Sequence, residues 1–149
     1  MNNAPTPNLP LLGHADAQSV EQGLILLDEF IAAFNARDAR AWSKTLHYPH
    51  VRFAGGVVRI WHTPEEYAAD NDIRLLERTG WRYSRWDFRH LVHADADKLH
   101  FALQFTRYDD RDRPQGHHQA LYVLTRQAAR WGVQARSSYA GIAVDGAAF

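Results

Sequence analysis

Apolar and polar residues change their period once along this chain. Between residues 16 and 36, Val20, Leu24, Leu27, Ile31 and Phe34 recur at steps of four and three, the spacing of one helix face. Asp16 is suited to cap that helix. Asp38 caps a short second helix carrying Trp42 and Leu46, and Pro49 ends helical structure. Residues 50–61 read as extended chain folded at Gly55-Gly56. Thr63-Pro64-Glu65-Glu66 opens a third helix. Thr63 caps it, Pro64 takes its first position, and Glu66 completes a capping box. This helix runs to about Arg78 and stops at Gly80.

From Trp81 onward the period is two. Strands are expected at 84–93, 98–108, 117–126 and 131–139, with turns between them. Helices first and strands afterwards point to an α+β domain with an antiparallel sheet. Simple pairing across each turn sets Arg126 opposite Trp131, Tyr108 opposite His117 and His93 opposite Lys98. One face then collects Trp86, Phe88, His90 and Val92 with Leu99, Phe101, Leu103, Phe105 and Tyr122. The helices should cover that face. Ser84, Arg107, His118 and Tyr139 form one polar row on it, and Trp86, Phe105, Ala120 and Ser137 form the next. A polar row edged by aromatics at the end of an apolar face is the pattern of a pocket mouth. Leu91, Gln134 and Arg136 fall on the opposite face, with Leu121 and Val123. That mixed surface is open to solvent or pairs with its copy in a homodimer.

Composition narrows the chemistry. The 149 residues make one domain, with residues 1–15 as a loose arm and 16–149 as the folded unit. Without cysteine there is no disulfide, zinc–thiolate site or thiol nucleophile. Lys+Arg and Asp+Glu balance at 17 each, which argues against a nucleic-acid partner. No apolar run approaches the ~20 residues of a membrane span, and no signal peptide is apparent, so a cytoplasmic protein is expected. Nine histidines raise the question of a metal. The neighbours His117 and His118 point to opposite strand faces, and no helix carries two histidines one turn apart. No metal and no cofactor are expected.

The segment Phe30-Ile31-Ala32-Ala33-Phe34-Asn35-Ala36-Arg37-Asp38 resembles the end of the first helix in SnoaL-like and ketosteroid isomerase-like proteins of the nuclear transport factor two-like superfamily. The segments around Ala120 to Arg126 and Trp131 to Ser138 are similar to the final hairpin of many members. The resemblance implies a cone-shaped α+β barrel, three N-terminal helices on a curved antiparallel sheet, and a homodimer. It implies no single activity, because the superfamily holds isomerases, cyclases, dehydratases, hydrolases and non-enzymatic binders. The isomerases' catalytic aspartate would fall at Tyr48 and their oxyanion-donating tyrosine near Phe30. With neither a base nor a donor there, steroid isomerisation by that route is not expected. The aspartate–arginine–aspartate set of the limonene epoxide hydrolases finds Arg107 but no aspartate on the pocket face.

Arg107, His118 and Tyr139 are therefore the candidate catalytic groups. Arg107 can hold a carboxylate or enolate, and its charge lowers the proton affinity of His118. The alternative pairs Arg107 with an acid of the 109–112 turn and leaves His118 as a rim residue. Tyr48, His62, Trp86, Phe105, Tyr122 and Ser137 are the candidate ligand-lining residues, though Tyr122, amid apolar neighbours, reads first as a core tyrosine with one buried hydrogen bond. The expected function is a pocket for an apolar small molecule with an anionic or carbonyl end, bound or modified by acid–base chemistry as in a cofactor-independent isomerase, cyclase or lyase. The alternative is a non-catalytic dimeric module.

Overall fold

A computed structural model describes residues 10–138. The expected Tyr139 lies outside them. The order of elements is β1 (Leu12–Gly13), α1 (Ala17–Asn35), α2 (Ala39–Lys44), β2 (Leu46–Ala54), β3 (Val57–Trp61), α3 (Pro64–Asp70), a 3-10 segment (Ile73–Thr79), β4 (Tyr83–Ala94), β5 (Lys98–Tyr108), β6 (Pro114–Gln127) and β7 (Arg130–Ser138). The fold is α+β, as the change of period predicts. No helix among the described residues is long and apolar enough to cross a membrane.

Each helix begins where a side chain satisfies an open N–H. Asp16 accepts from Ser19 N at 2.7 Å, Asp38 from Ala41 N at 2.9 Å, and Thr63 from Glu66 N at 3.1 Å. The third helix is shorter than its sequence pattern. Asn71, buried and outside helical geometry, donates to the Tyr67 carbonyl at 2.9 Å where the run breaks. Asp72 then caps the 3-10 turn, which ends at Gly80 in the left-handed region (φ 86°). The buried stripe of α1 is Gly23, Leu26, Leu27, Phe30 and Phe34, rotated from the expected one, with Val20 and Leu24 on its flank. Gly23 sits on that stripe because a Cβ there would stand 2.8 Å from Leu99 Cδ1.

The seven strands form one open sheet in the order β1-β4-β5-β6-β7-β2-β3. It is mixed rather than purely antiparallel, since β1 runs parallel to β4 and β2 parallel to β7. The helices do not all precede the sheet either, because the β2–β3 hairpin lies between α2 and α3.

Simple hairpin register holds in part and fails in a structured way. Arg126 faces Trp131 as expected, and Ser84 faces Arg107. Across β5–β6, Thr106 rather than Tyr108 meets His117, a slip of two residues that preserves the faces but moves the rows. Three bulges do more, because each inserted residue exchanges inside for outside beyond it. In β4 the register shifts at Asp87 and again at Val92. Leu91 thus turns toward the core, while Phe88, His90 and Val92 are exposed. In β7 the register shifts at Gln134. Beyond it Arg136 is buried and Ser137 exposed, the reverse of the simple alternation.

The β7 bulge is held by the side chain of Gln134. Its Oε1 accepts from Thr125 Oγ1 and Gln127 Nε2, each at 2.9 Å, and its Nε2 donates to the Pro49 carbonyl. Asp87 holds the first β4 bulge likewise, accepting from Gln104 Nε2 at 2.8 Å and Thr106 Oγ1 at 2.6 Å. Replacing Gln134 by Ala should destabilise the domain by about 1–3 kcal/mol, the sum of a few partly exposed hydrogen bonds. Urea unfolding followed by tryptophan emission measures this.

Candidate functional site

The inner face of the sheet meets α1 around two small adjoining cavities. The larger, about 20 Å³, lies between Phe30, Ile31 and Phe34 of α1 and Trp86 and Arg107 of the sheet. The smaller, about 10 Å³, reaches Arg52, His118 and Ser138. Phe105, Tyr122 and Arg136 line both. Each has room for about one water molecule. Among the described residues, no three histidine, aspartate or glutamate side chains converge as a metal site would require.

Arg136 stands at the seam and is 3% exposed. Its guanidinium carbon lies 5.5 Å from the ring centres of Phe30 and Trp42 and 5.9 Å from those of Tyr67 and Tyr122. Rings at that range favour a cation through their quadrupoles. Nη2 donates to Tyr67 Oη at 2.6 Å, and Nε donates to His50 Nε2 at 3.1 Å. That bond sets the His50 tautomer. Its Nε2 accepts, so Nδ1–H donates to the Val133 carbonyl at 2.9 Å. Burial, and then Arg136, hold the His50 pKa well below the usual histidine range. Burial pushes the Tyr67 phenol up to about 12.

Two more arginines share this interior. Arg107 is 7% and Arg52 2% exposed. Arg52 lies beside Arg136 across the parallel β2–β7 pair. Burial lowers the pKa of each to about 10, and for Arg52 the Arg136 charge and, less, the Arg107 charge act the same way. All three remain cations at neutral pH.

His118 stacks on Phe105, with ring centres 5.1 Å apart. It faces Phe105 in the register, and Arg107 faces Gly116. The expected row of Ser84, Arg107 and His118 is therefore broken by the two-residue slip. The expected electrostatic link survives it. Burial first, then Arg107 and His117, push the His118 pKa down to about 4. Ser84 accepts from Trp81 Nε1 at 3.0 Å, and its backbone is clasped by Asn35 at 2.8 and 2.9 Å. This fixes the end of α1 against the larger cavity. Two acids of the 109–112 turn are engaged elsewhere, Asp109 with Arg113 and Asp112 with the Tyr83 hydroxyl.

The structure thus brings Arg107, His118, Trp86, Phe105 and Tyr122 together and separates the other expected residues from them. Tyr48 lines neither cavity, and its hydroxyl donates to the Ser43 carbonyl at 2.7 Å. His62 is exposed ahead of α3. Ser137 points outward, and its neighbour Ser138 lines the smaller cavity instead. Arg52 and Arg136 escape the sequence reading. The larger apolar residues of this stretch, Val51 and Phe53, lie on the other face of β2, whereas His50, Arg52 and Ala54 are the buried set. No apolar pattern marks those positions.

By sequence, no family model matches the chain, and no curated protein does. By structure it is similar to a cystatin-like-fold protein of unknown function from Nostoc punctiforme, at 12% identity and TM-score 0.69, over 91% of this chain and 98% of that one. An NTF2-like protein with a cystatin-like fold from Novosphingobium aromaticivorans aligns at 13% identity and TM-score 0.67, over 82% and 81%. This chain has the NTF2-like, cystatin-like fold. A Catenulispora acidiphila protein solved in complex with S-DNPA also aligns, at 11% identity and TM-score 0.65, over 83% and 95%. At these identities the likeness of this chain to its neighbours is one of fold, and its chemistry rests on its own residues.

The imidazoles give this interior a pH dependence. His47, His50, His100 and His118 all have folded pKa values below the ordinary 6.5, burial being the leading cause for each. The unfolded chain therefore binds protons first as pH falls, and stability declines with it. The stabilisation is complete above about 6.5 and is lost progressively toward the His118 value of about 4. Melting temperatures between pH 7.5 and 4.5 should fall with pH, and less steeply in His118→Asn.

Proposed function

We propose that this protein binds a small, largely apolar molecule with an anionic or carbonyl end in the cavities between α1 and the sheet. The observation that carries this reading is the joining of an aromatic-lined cavity to buried guanidinium groups at Phe105, Tyr122 and Arg136. Apolar walls with a few fixed polar groups are the usual make-up of a ligand site. In this reading the helices and sheet form the cone expected from the resemblance. The half-buried Trp86 and Ile31 are the side chains that swing aside to admit a ligand larger than the present space.

Binding is favoured over acid–base turnover. A histidine with a pKa near 4 is neutral at pH 7 but a weak base, and general bases work best near the operating pH. His118 serves better as a hydrogen-bond partner. Phe30 lines the larger cavity without a hydroxyl, and the Tyr48 hydroxyl is engaged with the backbone, so neither supplies the isomerase chemistry. If the protein is an enzyme, it is an isomerase, cyclase or lyase of another design, with Arg107 polarising the carbonyl.

Ketones and carboxylates of three to six carbons, screened by ligand-observed NMR, should bind the wild-type protein. Ile31→Trp, which fills the larger cavity from α1, should weaken them at least about tenfold. The absence of binding across the series, or equal binding by the filled variant, would remove this reading.

A homodimer through the outer sheet face accompanies it. Phe88 and Leu121 are 36% and 37% exposed there, among polar groups, a mixture compatible with an interface. Light scattering should give a dimer for the wild type and a monomer for Leu121→Lys.

A further inference from the structure

We propose that the free edge of β3 and the acidic groove beside it bind an extended segment of a partner protein, one that alternates apolar and basic side chains. This surface is separate from the cavities between α1 and the sheet.

The two ends of the sheet are built differently. At one end, β4 carries bulges at Asp87 and Val92 and is flanked by the short parallel β1. Bulges and short outer strands blunt an edge against further pairing. At the other end, β3 pairs with β2 through all five of its residues without a bulge. No strand among the described residues pairs with its far side. Its sequence, Val57-Val58-Arg59-Ile60-Trp61, holds no proline, lysine or acid to discourage pairing. Half of its backbone N–H and C=O groups point away from β2 and offer a ladder to another strand.

The surfaces on either side of this edge differ in chemistry. On the outer face, Val58 pairs with Phe53 and Ile60 with Val51. Val58, Ile60 and Phe53 are each about half exposed. Together they make an apolar strip, which on a soluble domain marks a contact surface more often than single exposed residues do. On the inner side an open groove of about 450 Å³ is lined by Ile60 and Trp61 of β3 and by Glu66, Ala69 and Asp70 of α3. Each carboxylate is held in place through one oxygen, Glu66 by His62 N at 2.7 Å and Asp70 by Trp61 Nε1 at 2.9 Å. Residues 62–73 hold Glu65, Glu66, Asp70 and Asp72 and no lysine or arginine. Arg59, 4.0 Å from Asp70, offsets only part of that charge. In a chain whose charges otherwise balance, this groove is locally acidic.

A strand added about 4.8 Å from β3 sends alternate side chains to these two surfaces. Outward residues lie beside Val58 and Ile60, where apolar groups fit. Inward residues lie over Glu66 and Asp70, where lysine or arginine fits. Backbone pairing then supplies affinity and the two surfaces supply selectivity. A second copy of this chain is a poor occupant. Two β3 edges paired antiparallel about their centres set Arg59 of one copy against Arg59 of the other and bring two acidic α3 segments together, and like charges so placed repel. The homodimer proposed above uses the outer face around Leu121 and does not need this edge.

The test uses three amidated heptapeptides, in which lysine alternates with valine, glutamate with valine, and lysine with serine. Each is titrated into the full chain at pH 7.5 and low ionic strength and followed by two-dimensional amide NMR. The lysine–valine peptide should bind with a Kd of about 100 μM or tighter. It should shift the amides of Val58 to Trp61 and slow the hydrogen exchange of those on the free side of the strand. The other two peptides should bind at least about tenfold more weakly, one for lack of charge complementarity and one for lack of apolar contact. Ile60→Lys, at an exposed position, should weaken the lysine–valine peptide at least about tenfold, with near-UV circular dichroism checking the fold. Glu66→Gln should narrow the preference for lysine over glutamate. Overturning results are no binding, equal binding of the lysine–valine peptide and either control, or shifts confined to other strands. Shifts of the same β3 amides with protein concentration alone would assign the edge to a second copy and overturn the proposal as well.

Discussion

The guanidinium of Arg136, sunk among Phe30, Trp42, Tyr67 and Tyr122, is the interaction around which this interior is arranged. A charge this deeply placed requires hydrogen bonds and polarisable neighbours. Tyr67 and His50 supply the bonds, and the rings supply the rest. These partners come from α1, α2, β2, α3 and β6. One side chain of β7 therefore ties both layers together. Its inward direction depends on Gln134, whose amide fastens the bulge to β6 and to the Pro49 carbonyl.

The same charge sets the protonation of its surroundings. His50 is neutral because it is buried and accepts from a cation. His118 is neutral because it is half-buried and near Arg107. Arg52 feels both other arginines. The interior thus leaves these two imidazoles unprotonated at neutral pH. A histidine held that far from neutral pH is a poor candidate for proton abstraction, which needs a base poised near the working pH.

The fold by itself does not specify what this interior does. The neighbours in structure share the strand and helix layout at identities near one in eight. The residues facing the cavities in this chain, three arginines with Tyr122 and His118, are a matter of its own sequence. Bulges are the means by which a common scaffold changes what it presents. One inserted residue leaves the sheet intact and exchanges inward for outward side chains beyond it.

The sequence by itself determined most of the elements and where the helices start. Asp16, Asp38, Thr63 and Gly80 act at helix ends as their chemistry requires, and the period-two runs are the four long strands. It also determined that Arg107, Phe105, Tyr122 and His118 face inward, because a register slip of two preserves faces. Only the tertiary structure decided the rest. The bulges at Asp87 and Gln134 arise from side-chain bonds to neighbouring strands and segments, which local periodicity does not encode. Those bonds turned Ser137 outward, brought Leu91 and Arg136 inward, and set Arg136 beside Arg52. The arginine cluster therefore has no signature along the chain. It exists because strands far apart in sequence were paired in one particular register.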